Sequence, residues 1–153
     1  MSDHMKVLQT FPSGKETAKI AKLLIVEVPV SDMRRAIEFY AGQLGFYIDL
    51  GKNPPSIWSE SREVFMYPAE GIKLMLWQTE GKERLGFTRD GRPHHFVILE
   101  IREPAEAARD RLMAQGVKVG EISGETADRG GCGKAFDVWD PDGNMLRLCY
   151  QPS

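Results

Sequence analysis

The chain has 153 residues, of which 42% are hydrophobic and 27% are charged, and its formal net charge is −2. This length suits one domain or two small fused modules, and the composition is that of a globular protein. Lys and Arg are scattered among Asp and Glu, and the longest apolar runs are only as long as a strand. Neither nucleic acid nor a membrane is therefore an expected partner.

Residues 1–20 are predicted to be an N-terminal extension, and residues 1–4 are typical of a tag remnant. The extension lacks the apolar segment of a secretory signal, and two cysteines are too few for a disulfide framework, so we expect a cytoplasmic protein. Cys132 lies in a glycine-rich segment and is either an incidental or a reactive thiol, whereas Cys149 is predicted to be a small core residue.

Residues 21–80 are predicted to form one module. Lys22–Val30 is apolar and β-branched, which indicates a strand, and Ser31-Asp32 supplies an N-cap for a helix that begins at Met33 and ends near Gly42 or Gly45. Three further strands are predicted at residues 45–50, 62–67 and 72–78.

The same order repeats after a polar linker at residues 81–93, so residues 94–153 are predicted to form a second module. A strand at His95–Ile101 precedes a helix that has Pro104 in its first turn, an apolar side of Ala108, Leu112 and Met113, and its end at Gly116. Strands follow at 117–122, 135–139 and 145–150. Both halves thus have the order βαβββ, and the sequence predicts an α+β fold.

Two segments carry a family resemblance. Val28–Phe46 reads VPVSDMRRAIEFYAGQLGF, and Phe136–Leu148 reads FDVWDPDGNMLRL, in which Asp-Pro-Asp-Gly-Asn has the composition of a tight turn. They resemble the opening strand-helix unit and the closing hairpin of the vicinal oxygen chelate superfamily, which includes glyoxalases, bleomycin-resistance proteins and extradiol dioxygenases. The resemblance covers roughly Ala21 to Tyr150. It implies two βαβββ modules that form a curved, partly open barrel around a cleft.

Metal-using members of this family place four ligands on strands that face the cleft. By the resemblance, those places hold Ile25, Met75, Phe96 and Arg147 here. Isoleucine and phenylalanine have no donor atoms, methionine offers a soft thioether, and arginine is a permanent cation. The resemblance therefore implies no metal and no other cofactor. The alternative is a shifted register in which His95 binds a divalent metal together with Glu27 and Glu100.

Alternation along the strands predicts which side chains line the cleft. The predicted ligand-binding residues are Ile25, Glu27, Met75, Trp77, Phe96, Ile98 and Arg147. Arg147 would anchor an anionic group, with Glu27 or Glu100 as its counter-charge in the empty protein. For Arg147 the alternative is a purely structural pair with Glu27, and for Trp77 and Phe96 it is ordinary core packing.

We therefore predict a glyoxalase/bleomycin-resistance-like protein that binds a small aromatic or amphipathic molecule, including anionic ones, in an apolar cleft. The alternative is an enzyme of the same superfamily (a lyase, isomerase or dioxygenase) that uses a divalent metal at a non-standard site. A metal-free version would use Glu27 or Glu100 as the general base, with Arg147 stabilising an enolate. Because half-barrels of this family often pair, a homodimer is expected.

Overall fold

A computed structural model describes residues 14–124 and 133–151. In the first module, strand β1 (Ile25–Val30) leads into helix α1 (Met33–Ile37), which continues as a π-helix over Glu38–Gln43. Asp32 caps α1 as predicted, since its carboxylate accepts from the Arg35 N–H at 3.1 Å. A 3₁₀ helix (Pro55–Glu60) precedes strands β2 (Glu63–Met66) and β3 (Lys73–Gln78). The sheet order is β1-β3-β2, with β1 parallel to β3. The strand predicted at 45–50 is reduced to one bridge between Tyr47 and Tyr67.

A short hairpin lies in the segment predicted as a linker. It pairs β4 (Phe87–Arg89) with β5 (Arg92–His94). Asp90 and Gly91 connect the two strands with φ values of 53° and 78°, as a type I′ turn requires. The segment is therefore ordered, and it leads directly into the second module.

The second module repeats the order of the first. Strand β6 (Val97–Ile101) precedes helix α2 (Ala105–Ala114), and β7 (Lys118–Val119), β8 (Lys134–Trp139) and β9 (Met145–Tyr150) follow. Their order is β6-β9-β8-β7. The predicted α+β fold is confirmed, although the sheet of the first module has three strands and that of the second has four. Met113 was wrongly predicted to face the core: it is 49% exposed, because the buried side of α2 runs through Ala105, Ala108 and Leu112.

One hydrophobic core runs through both modules. Alternate residues of the strands face the helices in this core, among them Val28, Leu76, Phe136 and Leu148. Cys149 is also buried, as predicted, and Cys132 lies outside the described residues. The helices of the described residues are too short or too polar to cross a membrane. Each sheet turns its other side away from the helices, and we call this side the open face.

The turn Asp140–Asn144, here called the closing turn, ties the two modules together. Asp140 Oδ2 accepts from the Tyr40 hydroxyl at 2.7 Å and from Asn144 Nδ2 at 2.7 Å. Asn144 Nδ2 also donates to the Pro29 carbonyl, and Asp142 accepts from the Ser31 N–H and hydroxyl. The motif that carries the family resemblance is therefore the buried polar joint between the modules.

Candidate functional site

The open face of the first sheet carries four of the predicted ligand-binding residues. Glu27, Met75 and Phe65 are direct neighbours across the three strands. Ile25 is 39% exposed and Trp77 is 45% exposed, whereas Met75 is buried. Lys73 lies beside them, with its Nζ 4.6 Å from the centre of the Phe65 ring. This face is apolar and aromatic, and it is open to solvent in a single chain.

The open face of the second sheet carries the charged part of the site. Ile98, Arg147 and Asp137 are neighbours across β6, β9 and β8. Ile98 is 51% exposed. Glu100 is exposed as well and lies opposite Cys149. The structure thus places Arg147 in the centre of this face.

Arg147 is held by an aspartate that the sequence reasoning missed. Its Nε donates to Asp137 Oδ1 at 3.0 Å and its Nη2 donates to Oδ2 at 3.3 Å. Such a bidentate pair fixes the plane of the guanidinium. The predicted counter-charges, Glu27 and Glu100, do not fill this role, because Asp137 is the direct cross-strand neighbour of Arg147 and Glu27 lies in the other sheet.

His95 joins this cluster from the start of the second module. Only 7% of it is exposed, and its Nδ1 lies 3.6 Å from Asp137 Oδ1. Nδ1 is the one buried side-chain nitrogen or oxygen of residues 14–124 and 133–151 without a hydrogen-bond partner. Burial lowers the pKa of His95, and the positive charge of Arg147 lowers it further, so the imidazole is neutral at pH 7.

The register at the start of β6 explains why His95 turns toward Arg147. The paired strand begins only at Val97, so His95 and Phe96 precede the regular alternation. Phe96 is half-buried and contacts the hydrophobic core.

The residues at the four ligand places do not suit a divalent metal. Ile25 and Phe96 have no donor atoms, and Arg147 brings a positive charge that already binds Asp137. Within residues 14–124 and 133–151, no three His, Cys, Asp or Glu side chains come together as metal ligands would. In particular, His95, Glu27 and Glu100 form no such group among these residues.

The predicted site residues are therefore divided between two faces. Ile25, Glu27, Met75 and Trp77 share the open face of the first sheet, and Ile98 and Arg147 share that of the second. The exposure of Ile25, Trp77 and Ile98 means that one chain does not enclose them.

The sequence model of the Glyoxalase/Bleomycin resistance protein/Dioxygenase superfamily matches residues 22–148. The chain belongs to this superfamily. The match covers both modules and the closing turn. The duplication and the closing turn therefore lie within the part of the chain that matches the superfamily. A search among curated proteins found no match.

Solved structures of other proteins have the same fold. TnmS3, described as an antibiotic binding protein from Streptomyces sp. CB03234, is 22% identical with a TM-score of 0.61, over 89% of this chain and 100% of that one. A superfamily member from Sphaerobacter thermophilus is 24% identical with a TM-score of 0.60, over 86% and 98%. A glyoxalase/dioxygenase from Nostoc punctiforme is 17% identical with a TM-score of 0.64, over 96% and 99%. At these identities the likeness shows the fold alone.

Proposed function

We propose that this superfamily member binds a small aromatic or amphipathic anion in a metal-free cleft that two copies of the chain form together. The observation that carries the proposal is Arg147, which stands at a place where metal-using relatives keep a ligand and is held there by Asp137. A fixed guanidinium beside the apolar side chain of Ile98 suits a carboxylate or phenolate better than it suits a cation.

The guanidinium retains hydrogen-bonding capacity for a ligand. Asp137 occupies Nε and Nη2, and no hydrogen bond within the described part of the chain involves Nη1. The side chain is 30% exposed, so a ligand can reach it from the open face. The Streptomyces protein TnmS3, described as antibiotic-binding, gives a precedent on this fold for binding an organic molecule.

A second copy of the chain would complete the cleft. Ile25 and Trp77 on one face and Ile98 on the other are large apolar side chains that a single chain leaves open. Apolar surface of this kind marks an interaction site. We place the open face of the first sheet of one copy against the open face of the second sheet of its partner, as a two-fold dimer permits.

Replacing Ile98 with glutamate tests this arrangement. We expect wild-type protein to be a dimer in light scattering and Ile98→Glu to be a monomer, because the new carboxylates would be buried in the interface. The ligand probe is 2-naphthoate, a planar aromatic carboxylate. It should shift the Trp77 indole N–H signal in the NMR spectrum of the wild type and leave that signal unchanged in Ile98→Glu.

Met113→Glu is the matched control, since Met113 is similarly exposed, at 49% against 51% for Ile98, but lies on α2. It should remain dimeric and keep the Trp77 response. A monomeric wild type, or an Ile98→Glu variant that keeps both the dimer and the response, would refute the shared cleft.

A further inference from the structure

A large cavity opens between the β4-β5 hairpin and the closing turn, outside the seven predicted ligand-binding residues. Its volume is about 830 Å³, within the usual range for small-molecule sites. Its walls come from the hairpin segment, the closing turn and the ends of β7, β8 and β9. The side chains that line it include those of Lys82, Arg84, Pro93, Lys118, Trp139 and Met145.

A hydrogen bond to the closing turn and strand pairing fix the walls of this cavity within a single chain. The Leu85 N–H donates to Asn144 Oδ1 at 2.6 Å, which pins the segment before the hairpin to the closing turn. Trp139 is paired with Met145 on one side and with Lys118 on the other. The cavity therefore does not need a second copy of the chain.

The charges in the cavity favour an anion. Lys82, Arg84 and Lys118 line it, and among the described residues none of them has a carboxylate partner. The two acidic residues of the wall, Asp140 and Asp142, already accept hydrogen bonds with all their oxygens. The cations are thus the groups with spare hydrogen-bonding capacity.

The apolar part of the wall favours a flat ring. Trp139 is half-buried, and the Lys118 Nζ lies 4.6 Å from the centre of its ring. Met145 and Pro93 add apolar surface beside it. An aromatic ring that contacts Trp139 would bring an attached anionic group close to Lys118.

We propose that this cavity is a second ligand site, which takes a planar aromatic molecule with one anionic group. The site goes beyond the shared cleft, because one chain builds it and Arg147 does not line it, although Trp139 and Met145 stand on the same side of the second sheet as Arg147. The chain's tryptophans allow the two sites to be observed separately: Trp139 lines this cavity, Trp77 lies on the open face of the first sheet, and Trp58 contacts Arg34 elsewhere.

The test uses the indole N–H signals, assigned by Trp→Phe variants, in a titration with 2-naphthoate. We expect the probe to shift the Trp139 signal in wild type and equally in the monomeric Ile98→Glu variant, while the Trp58 signal stays in place. The neutral analogue 2-naphthylmethanol should shift Trp139 much less. The shift of the Trp139 signal with 2-naphthoate should become smaller when salt is added, because salt screens exposed charges.

Arg84→Gln with Lys118→Met removes two cations, and the affinity measured at Trp139 should fall about tenfold. Lys52→Met with Arg62→Gln is the matched control, because it also removes two exposed cations, from positions in the first module that do not line this cavity. A Trp139 signal that does not move, that responds equally to the neutral analogue, or that ignores the double substitution would overturn the second site. Loss of the Trp77 response alone would count against only the shared cleft.

Discussion

Replacing Asn144 with alanine should lower the free energy of unfolding by about 4 kcal/mol, measured by denaturation with urea. Asn144 is fully buried. Its amide donates to Asp140 and to the Pro29 carbonyl and accepts from the Leu85 N–H. The substitution leaves a buried carboxylate short of a donor and two backbone groups without partners, in the joint between the modules.

The loss of stability in Asn144→Ala should depend on pH. Burial raises the pKa of Asp140, and the hydrogen bonds from Asn144 and Tyr40 oppose this effect. Without the Asn144 amide, the pKa of Asp140 in the folded protein should rise further. The Asp140 carboxyl then keeps its proton in the folded protein at pH values at which it has lost that proton in the unfolded chain. Stability then falls as the pH rises above the ordinary aspartate value of 3.8. We therefore expect Asn144→Ala to cost more at about pH 7 than at about pH 4.

Asn53→Ala is the control for this experiment. The Asn53 amide donates to the Asp49 carbonyl at 3.2 Å on the surface, so its loss should change stability by less than about 0.5 kcal/mol at either pH. Equal losses for the two variants, or a loss for Asn144→Ala that does not change with pH, would contradict the assigned role of the closing turn.

Replacing Arg147 with methionine should weaken the binding of 2-naphthoate, measured at the Trp77 signal, by about twentyfold. Methionine keeps much of the length of the side chain and removes the guanidinium. The variant should also lose about 2 kcal/mol of stability, because the Asp137 carboxylate, 17% exposed, is left without its counter-charge.

A double variant separates the two effects. Asp137→Leu with Arg147→Met removes both charges of the pair, so stability should return close to that of wild type. Binding should stay weak, since the guanidinium is still missing. Recovery of binding in the double variant, or full binding in Arg147→Met, would show that Arg147 is a structural partner of Asp137 and does not contact the ligand.

The duplicated fold could be predicted because each module repeats the same local signals. In each module a β-branched strand is followed by a helix, and glycines with positive φ, such as Gly71 and Gly143, lie in the turns of equivalent hairpins. The hairpin at Asp90-Gly91 carried the same kind of turn signal. It was missed because its strands are polar and show no alternation of apolar residues.

The end of the first helix illustrates a limit of periodicity. The helix was predicted to run on to Gly42 or Gly45, and the structure changes it to a π-helix at Glu38–Gln43. Two adjacent residues, Phe39 and Tyr40, are both buried there. The wider turn of a π-helix changes which residues share a face, and a 3.6-residue period does not anticipate this change.

The partner of Arg147 could have been found from the sequence. Counting outward from the closing turn pairs Trp139 with Met145 and therefore Asp137 with Arg147. The inward position of His95 had no such signal, since it depends on where pairing with β9 begins. Nor does a single strand pattern reveal that six of the seven predicted residues lie on two faces, because this depends on how the modules pack.

The metal content of protein purified without chelators tests the central claim most directly. The claim is that Ile25, Met75, Arg147 and their neighbours hold an organic anion where metal-using relatives hold an ion. Elemental analysis should find no divalent metal in stoichiometric amount, and added Zn²⁺, Mn²⁺ or Fe²⁺ should leave the Trp77 response to 2-naphthoate unchanged. One tightly bound ion per chain that is lost in His95→Ala would contradict the account.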